Sequence, residues 1–321
     1  MMKTYLFNAL KGMGMGMAEV VPGVSGGTIA FITGIYERLI NVFRAIGPDL
    51  IQSLRNDGIK GAWKTLDGEF LVSLIGGMLV GIVIGVFLIT YLLATYPLLV
   101  WSYFFGLILV SAWLVGKQIS NWNGQIIFMF TLGAVIAYYI TIAIPAAGNP
   151  ALWYVFLCGS IAVSALLLPG ISGSFILLLL GMYTYIIPTV KEALKTFEID
   201  KLIILAVFGT GMLLGMAVFS RVISWTFKYY KDLTLAVLTG FLLGSLNKIW
   251  PWQEVLSTMD KESGEKVVVF SKSVLPSTFS SLQDNFLYGN EPQILGCILL
   301  MIAGFLTVFL SELLANKFSK N

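Results

Sequence analysis

The sequence predicts an all-α polytopic membrane protein, and its composition, its long apolar stretches and an internal duplication support this fold class. Of the 321 residues, 57% are hydrophobic and only 12% are charged, with a mean hydropathy of +0.87. A soluble domain of this size carries about twice that charged fraction. Lipid is therefore the expected solvent for most of the surface.

Six apolar stretches are long enough, or nearly so, to cross a bilayer as helices, for which about 20 residues are needed. Two more, 6–40 and 152–188, are long enough for a pair of half-helices, and each is interrupted in its middle. The polar segment 250–292 is predicted as an exposed loop with a short β-hairpin around 266–271. The six predicted spans are 70–95, 97–115, 125–144, 202–227, 233–249 and 294–314.

Both interruptions have the sequence Pro-Gly-x-Ser-Gly, at 22–26 and 169–173. Proline removes a backbone donor and clashes with the preceding helical turn, and glycine favours non-helical torsions. A serine just after the turn can cap a restarting helix. Each stretch is thus predicted as helix, unwound turn, helix, and such a turn at membrane depth must face protein or a water-filled cavity. The predicted helix-breaking residues are Pro22, Gly23, Pro169 and Gly170.

The two halves of the chain align with each other. Residues 21–35 match 168–182 at an offset of 147, and 77–81 match 211–215 at an offset of 134. A longer charged connection in the first half absorbs the difference between the two offsets. Matching through a break and two helices in one order predicts a duplication.

Duplication in this form predicts two repeats of inverted topology, 1–144 and 145–321. Each contains one broken hairpin and three spans. The hairpin returns the chain to the side of the membrane on which it began, whether it re-enters or crosses fully. The three further spans then leave the chain on the opposite side, so the second repeat starts there and is inverted. In transporters built this way the site lies where two broken elements meet. Thirteen Lys and Arg residues fall on the side of the N-terminus and seven on the other, which predicts that both termini are cytoplasmic.

The breaks carry the chemistry most suited to an anion. A helix that restarts after a break directs free N–H groups and about half a positive charge at the turn. Glycine backbone and nearby hydroxyl groups complete a cradle for phosphate, sulfate or carboxylate, and arginine suits bidentate phosphate contacts. The predicted anion-binding residues are Ser25, Gly26, Gly27, Thr28, Ser172, Gly173, Ser174, Arg38 and Arg221.

These features also have structural interpretations. Proline and glycine can simply kink membrane helices, and Arg38 and Arg221 can extend their head groups to the interface. Two copies at equivalent positions favour the functional interpretation for the breaks, whereas both interpretations stay open for the arginines. Glu19, three residues before Pro22, is costly in lipid unless it is paired or protonated, so it is predicted to carry a coupling proton or to pair with a base.

Several function classes are disfavoured. The chain has no histidine, which removes the commonest general base and metal ligand. Cys158 and Cys297 lie far apart in apolar stretches and are predicted to be buried free thiols. No metal, cofactor or enzymatic activity is predicted, and a net charge of +3 gives no reason to expect nucleic acid.

Residues 17–28 (MAEVVPGVSGGT) and 168–174 (LPGISGS) resemble a bacterial membrane family of polyprenyl-phosphate transporters, formerly classed as a domain of unknown function. The resemblance covers nearly the whole chain. It implies that the substrate is undecaprenyl phosphate, a carrier lipid that must return to the cytoplasmic leaflet after cell-wall and surface-glycan synthesis, and that the protein lies in the bacterial cytoplasmic (inner) membrane. The motif positions are Glu19, Ser25, Gly26, Thr28, Ser172 and Gly173.

The inverted repeat, taken with what the resemblance implies about the substrate, predicts a flippase that moves undecaprenyl phosphate among membrane lipids by alternating access. The alternatives are a transporter of a small soluble anion, a membrane enzyme with Ser25 as nucleophile and Glu19 as base, and a non-transporting assembly factor. Proton coupling and passive transport are both compatible with the sequence, and so is a homo-oligomer.

Overall fold

A computed structural model describes residues 2–20, 24–260, 266–282 and 291–318. Within these ranges the chain forms fourteen helices and one β-hairpin. In chain order the elements are α1 (Met2–Glu19), α2 (Gly26–Ile32), α3 (Tyr36–Ala45), α4 (Pro48–Thr65), α5 (Gly68–Thr95), α6 (Pro97–Gly116), α7 (Gly124–Ile142), α8 (Leu152–Leu166), α9 (Gly173–Leu179), α10 (Tyr183–Thr196), α11 (Ile199–Tyr229), α12 (Lys231–Ser245), β1 (Gln253–Asp260), β2 (Lys266–Ser273), α13 (Pro276–Ser280) and α14 (Ile294–Phe318).

Four helices of the described chain, α5, α6, α7 and α11, are long and apolar enough to cross a membrane. The first eight residues of α10 combine with α9 in a further candidate span, bent by 118° between the two helices. Large apolar side chains such as Val72, Phe87 and Leu213 are exposed on α5 and α11, as expected for helices whose solvent is lipid. The chain is therefore a multi-pass membrane protein.

The helices agree with most predicted spans. Four predictions match α5, α6, α7 and α11 to within three residues at each end. The predicted span 294–314 lies inside α14, whereas 233–249 is helical only to Ser245 in α12. There the chain changes to a turn in which Lys248 N–H donates to the Ser245 carbonyl at 2.9 Å.

The chain forms two compact units. The first comprises residues 1–87 and 145–234, and the second comprises 88–144 and 235–321. Each unit combines segments of both sequence halves. Both Pro-Gly-x-Ser-Gly motifs belong to the first unit, so the residues predicted to bind an anion fall in one compact body.

In the first unit, α1 packs on α5 and α8 packs on α11 through glycines at corresponding positions. A Cβ at any of these glycines would overlap a backbone carbonyl of the facing helix, so the two backbones touch. The positions correspond at the offsets of 147 and 134 found in the sequence, and the alignment therefore extends to helix contacts. The pairs are Gly12 with Leu74 and Gly77 with Ala9 in the first half, and Gly159 with Phe208 and Gly211 with Phe156 in the second.

Each broken hairpin contains a second interruption that the apolar sequence pattern does not predict. Helices α2 and α9 have seven residues each and end near a glycine in the left-handed region, Gly34 (φ +71°) and Gly181 (φ +69°). In both copies the residue after this glycine donates its N–H to the carbonyl five residues earlier, at 3.0 Å, as in a Schellman motif. Each hairpin therefore consists of three helices, α1–α3 and α8–α10.

The second unit pairs α6 with α14 and α7 with α12, again where glycine backbones meet carbonyl groups, at Gly106 and Gly133. The predicted β-hairpin is present as the antiparallel pair β1–β2. Beside it, Trp252 and Phe279 form a buried cluster with Cys297. Both cysteines of the chain are free and buried, which confirms the prediction for Cys158 and Cys297.

Candidate functional site

The first break leads directly into α2. Pro22 and Gly23, two of the predicted helix-breaking residues, lie outside the described residues. Ser25 has extended backbone torsions (φ −118°, ψ 138°), and its Oγ accepts a hydrogen bond from Gly27 N–H at 3.1 Å. The predicted serine cap is therefore present at the start of α2.

The second break is a Pro-Gly turn. The carbonyl before Pro169 accepts from the N–H after Gly170 at 3.4 Å, and Gly170 has φ +85°, the conformation that the third residue of a type II turn requires. Ser172 is again the N-cap residue, but its side chain makes no cap hydrogen bond. Its Oγ lies 2.8 Å from the Oγ of Ser174 instead.

The two breaks contact each other within the first unit. Ser25 and Thr28 are completely buried and Ser172 nearly so, and the glycines that follow Ser25 and Ser172 are buried as well. The structure therefore brings together the two motifs that the sequence predicts to meet. Three hydrogen bonds join the two hairpins at or beside the breaks: Gly170 N–H to Thr28 Oγ1 (2.8 Å), Ser25 Oγ to Leu166 O (3.3 Å) and Tyr36 OH to Leu167 O (2.7 Å).

Two charged side chains of α1 contact the two ends of α2. Glu19 Oε1 accepts from Gly26 N–H at 2.7 Å, where α2 begins. Lys11 Nζ donates to the Thr33 carbonyl at 2.8 Å, where α2 ends. An acid at the N-terminus and a base at the C-terminus complement the helix dipole, so these side chains stabilise α2 electrostatically as well as by hydrogen bonds.

The sequence pattern alone does not identify Lys11 as a functional residue. The signal that could have identified it is a basic residue in an apolar stretch, eight positions before the acid Glu19, because ionisable groups inside membranes are costly and seldom incidental. The target of Lys11, a carbonyl at the end of α2, could not be derived from sequence since the end of α2 was itself not predicted.

Neutral groups occupy the equivalent positions of the second hairpin. At the offset of 147, Cys158 corresponds to Lys11 and Leu166 to Glu19. The Leu180 carbonyl, which corresponds to that of Thr33, accepts from Tyr154 OH at 2.9 Å. The same carbonyl is thus bonded to an ammonium group in one copy and to a phenol in the other.

The predicted arginines make their polar contacts away from the hydroxyl groups of the breaks. Arg38 Nε bonds to Asp67 Oδ2 at 2.6 Å, and its guanidinium lies 4.2 Å from the ring centroid of Phe70. Arg221 donates to the carbonyl of Ala217 at 2.6 Å on its own helix and to that of Ile46 at 3.4 Å. Phosphate binding by either arginine stays a prediction.

Comparison with known proteins identifies the family. Residues 15–267 match the model of a family described as undecaprenyl phosphate translocase-like. This chain belongs to that family. It is 44% identical over 313 residues to a polyprenyl-phosphate transporter of Vibrio cholerae, covering 98% of each chain. It is 32% identical over 269 residues to a polyprenyl-phosphate transporter of Staphylococcus aureus, covering 76% of this chain and 86% of the relative. No solved structure matches the chain.

The groups at the breaks of this translocase-like chain are hydroxyls, backbone N–H groups and the carboxyl group of Glu19, whereas the ammonium group of Lys11 lies at the far end of α2. Across the described ranges, no cluster of three or more His, Cys, Asp or Glu side chains could hold a metal ion. Hydroxyl and backbone N–H groups are the donors that bind oxyanions in many proteins, and in this structure those of Ser25, Gly26 and Gly170 donate to protein oxygens.

Proposed function

We propose that this protein is a flippase that moves undecaprenyl phosphate across the bacterial cytoplasmic membrane and so returns the carrier lipid for cell-wall and surface-glycan synthesis. Family membership and the names of its relatives support a polyprenyl phosphate as the substrate. The observation that carries the proposal of a site is the direct contact between the two breaks, Gly170 N–H to Thr28 Oγ1. In this proposal the protein is a transporter and not an enzyme.

The phosphate binds between the two breaks. Its charge of about −1.5 to −2 matches backbone N–H groups at helix starts and several hydroxyl donors. Since Ser25 and Thr28 are now fully buried and bonded to protein, the breaks have to separate before a phosphate can enter. Two inverted repeats that rock in alternation provide this movement and expose the site first to one leaflet and then to the other, while the prenyl tail stays in lipid. The proposed ligands are Ser25, Gly26, Gly27 and Thr28 of the first break and Ser172, Gly173 and Ser174 of the second.

Glu19 regulates occupancy of the site. Its carboxylate accepts the Gly26 N–H, a donor that an incoming phosphate oxygen would also use. Protonation of Glu19 weakens its hydrogen bond with this N–H and makes the donor available to phosphate, which is one route to coupling transport to protons. In the passive alternative, phosphate displaces the carboxylate directly. Both termini are cytoplasmic in this proposal, in line with the distribution of Lys and Arg.

The test is leaflet exchange of undecaprenyl phosphate in reconstituted liposomes. The wild type is expected to accelerate exchange. Ser25→Ala combined with Ser172→Ala is expected to slow it by about 30-fold, because two hydrogen bonds of about 1 kcal/mol each are removed. The matched control is Thr131→Ala with Thr210→Ala, which removes two exposed hydroxyls bonded only within α7 and α11 and leaves the rate unchanged.

Three outcomes separate the parts of the proposal. Wild-type rates in the double serine variant overturn the site at the breaks. A folded wild type that does not accelerate exchange overturns the substrate. Flux of inorganic phosphate from loaded liposomes, without lipid exchange, identifies the soluble-anion transporter instead.

A further inference from the structure

A cavity of about 250 Å³ lies between α3 and α11, apart from the two breaks. Arg221 contacts Ile46, and Ser224 Oγ bonds to Asn41 Oδ1 at 3.1 Å. The helices are therefore antiparallel, because the later residue of α11 contacts the earlier residue of α3. Two buried apolar side chains form part of the cavity wall. Its polar lining residues are Glu37, Asn41, Arg44, Ser224 and Lys228.

The charge of the cavity favours an anion. Arg44 and Lys228 are exposed cations, and in the described parts of the chain no carboxylate pairs with either. The acid in the lining, Glu37, already has a cation partner, because its Oε1 lies 3.9 Å from Lys231 Nζ. Since Ser224 bonds to the Asn41 carbonyl oxygen, the Asn41 amide nitrogen is left with N–H groups to donate.

Aromatic side chains place this cavity at the level of lipid head groups. Trp225 contacts the rings of Tyr229 and Tyr230 at 5.9 and 5.4 Å between centroids, and all three side chains are exposed at the end of α11. Exposed Trp and Tyr at the end of a membrane-spanning helix mark the membrane–water interface. Lys228 lies within this aromatic group, so the cations of the cavity lie where lipid phosphates lie.

We propose that this cavity binds the phosphate group of a membrane lipid, with Arg44 and Lys228 as its charge partners and the Asn41 amide as a hydrogen-bond donor. Arginine offers a planar fork to phosphate oxygens and lysine a point charge. The two sources of this chemistry are the head group of an anionic phospholipid and the phosphate of a polyprenyl lipid. The site does not depend on the flippase proposal, because either lipid can occupy it whether or not it is transported.

The test is lipid binding to the detergent-purified protein by native mass spectrometry, with phosphatidylglycerol, undecaprenyl phosphate and inorganic phosphate in separate titrations. Arg44→Gln with Lys228→Gln is expected to bind the lipids about 30-fold more weakly, since each basic residue near an anionic lipid contributes about five- to sixfold. The control, Arg55→Gln with Lys60→Gln, makes the same charge change at exposed positions of α4 and keeps wild-type affinity.

The three titrations identify the ligand. If the Arg44 and Lys228 variant binds both phosphatidylglycerol and undecaprenyl phosphate more weakly, the cavity is a general lipid-phosphate site. If its affinity falls for only one of these lipids, that lipid is the ligand. The proposal is overturned if the control loses as much lipid affinity as the Arg44 and Lys228 variant, if that variant keeps its lipid affinity, or if the protein binds inorganic phosphate alone. Lys228→Gln alone repeats the test if the double variant is unstable, and leaflet exchange measured in parallel separates this result from failure of the flippase proposal.

Discussion

Helices α2 and α9 have the same length, and each has a serine before it and a left-handed glycine after it. The side chains that form hydrogen bonds with their ends, however, belong to different chemical classes. The ends of α2 contact a carboxylate and an ammonium group, Glu19 and Lys11. The end of α9 contacts the phenol of Tyr154, and the residue equivalent to Glu19 is Leu166. The second hairpin therefore forms the same local backbone without either charge.

This difference separates what the fold requires from what it does not. A charge at membrane depth costs several kcal/mol unless it is compensated, and the second copy shows that a neutral group can satisfy the same carbonyl. The charges around α2 are therefore not needed to build a seven-residue helix after a Pro-Gly break. They fit a role that only the first copy has, such as the control of the Gly26 N–H by Glu19.

The largest effect is expected for Glu19→Leu, which gives the first hairpin the residue of the second. Gly26 N–H loses its acceptor, so we expect a loss of about 2–3 kcal/mol in unfolding free energy. If Glu19 couples transport to protons, leaflet exchange slows at least tenfold; if phosphate displaces the carboxylate directly, exchange is faster, because the competing acceptor is gone. Thermal unfolding in detergent and reconstituted exchange measure the two. Glu19→Gln, which keeps an acceptor oxygen, recovers the stability. Wild-type exchange in Glu19→Leu would show that the charged end has no function beyond folding.

The next effect is expected for Lys11→Met, which removes the charged donor at the other end of α2. A hydrogen bond from a charged group contributes about 2 kcal/mol, so amide hydrogen exchange in 26–33 should accelerate about 30-fold. Exchange in 173–180 serves as the internal reference and stays unchanged. Equal acceleration in both segments would mean that Lys11 stabilises the whole unit and not α2 in particular.

A smaller effect is expected for Thr28→Val, which keeps the shape of the side chain but removes the acceptor of Gly170 N–H. The loss of this buried bond between the breaks costs about 1 kcal/mol, seen as faster amide exchange at 168–173. Thr28→Ser keeps the oxygen and is the matched control. No change at 168–173 would show that the two breaks are held together without this bond.

The smallest effect is expected for Tyr154→Phe, the neutral counterpart of Lys11→Met. Side-chain hydrogen bonds between membrane helices average about 0.6 kcal/mol, so exchange in 173–180 should rise about threefold. If amide exchange in 173–180 rises as much in Tyr154→Phe as exchange in 26–33 does in Lys11→Met, the charged hydrogen bond of α2 is no more stabilising than the neutral one of α9.

The sequence predicted the spans well because long apolar runs have few alternatives in a bilayer. It missed the second break in each hairpin, since Gly34 and Gly181 interrupt the helix through their left-handed torsions while the surrounding residues stay apolar. It predicted that the breaks meet, but not that their hydroxyls bond to one another's backbone. Hydroxyl partners depend on tertiary contacts that no local pattern specifies, as the different bonds of Ser25 and Ser172 show.

The glycine contacts of α1 with α5 and of α8 with α11 have a mechanical consequence. Where two backbones are in direct contact, no flexible side chains separate the helices, so each pair is expected to move as one rigid unit. Within the described residues, bending in the hairpins is then expected where the backbone leaves the helical conformation, at the Pro169-Gly170 turn and at Gly34 and Gly181. Helices α2 and α9, each only seven residues long, are therefore expected to move as short rigid segments. The hydrogen bonds at their ends, with Glu19 and Lys11 in one copy and with Tyr154 in the other, are expected to restrain this movement.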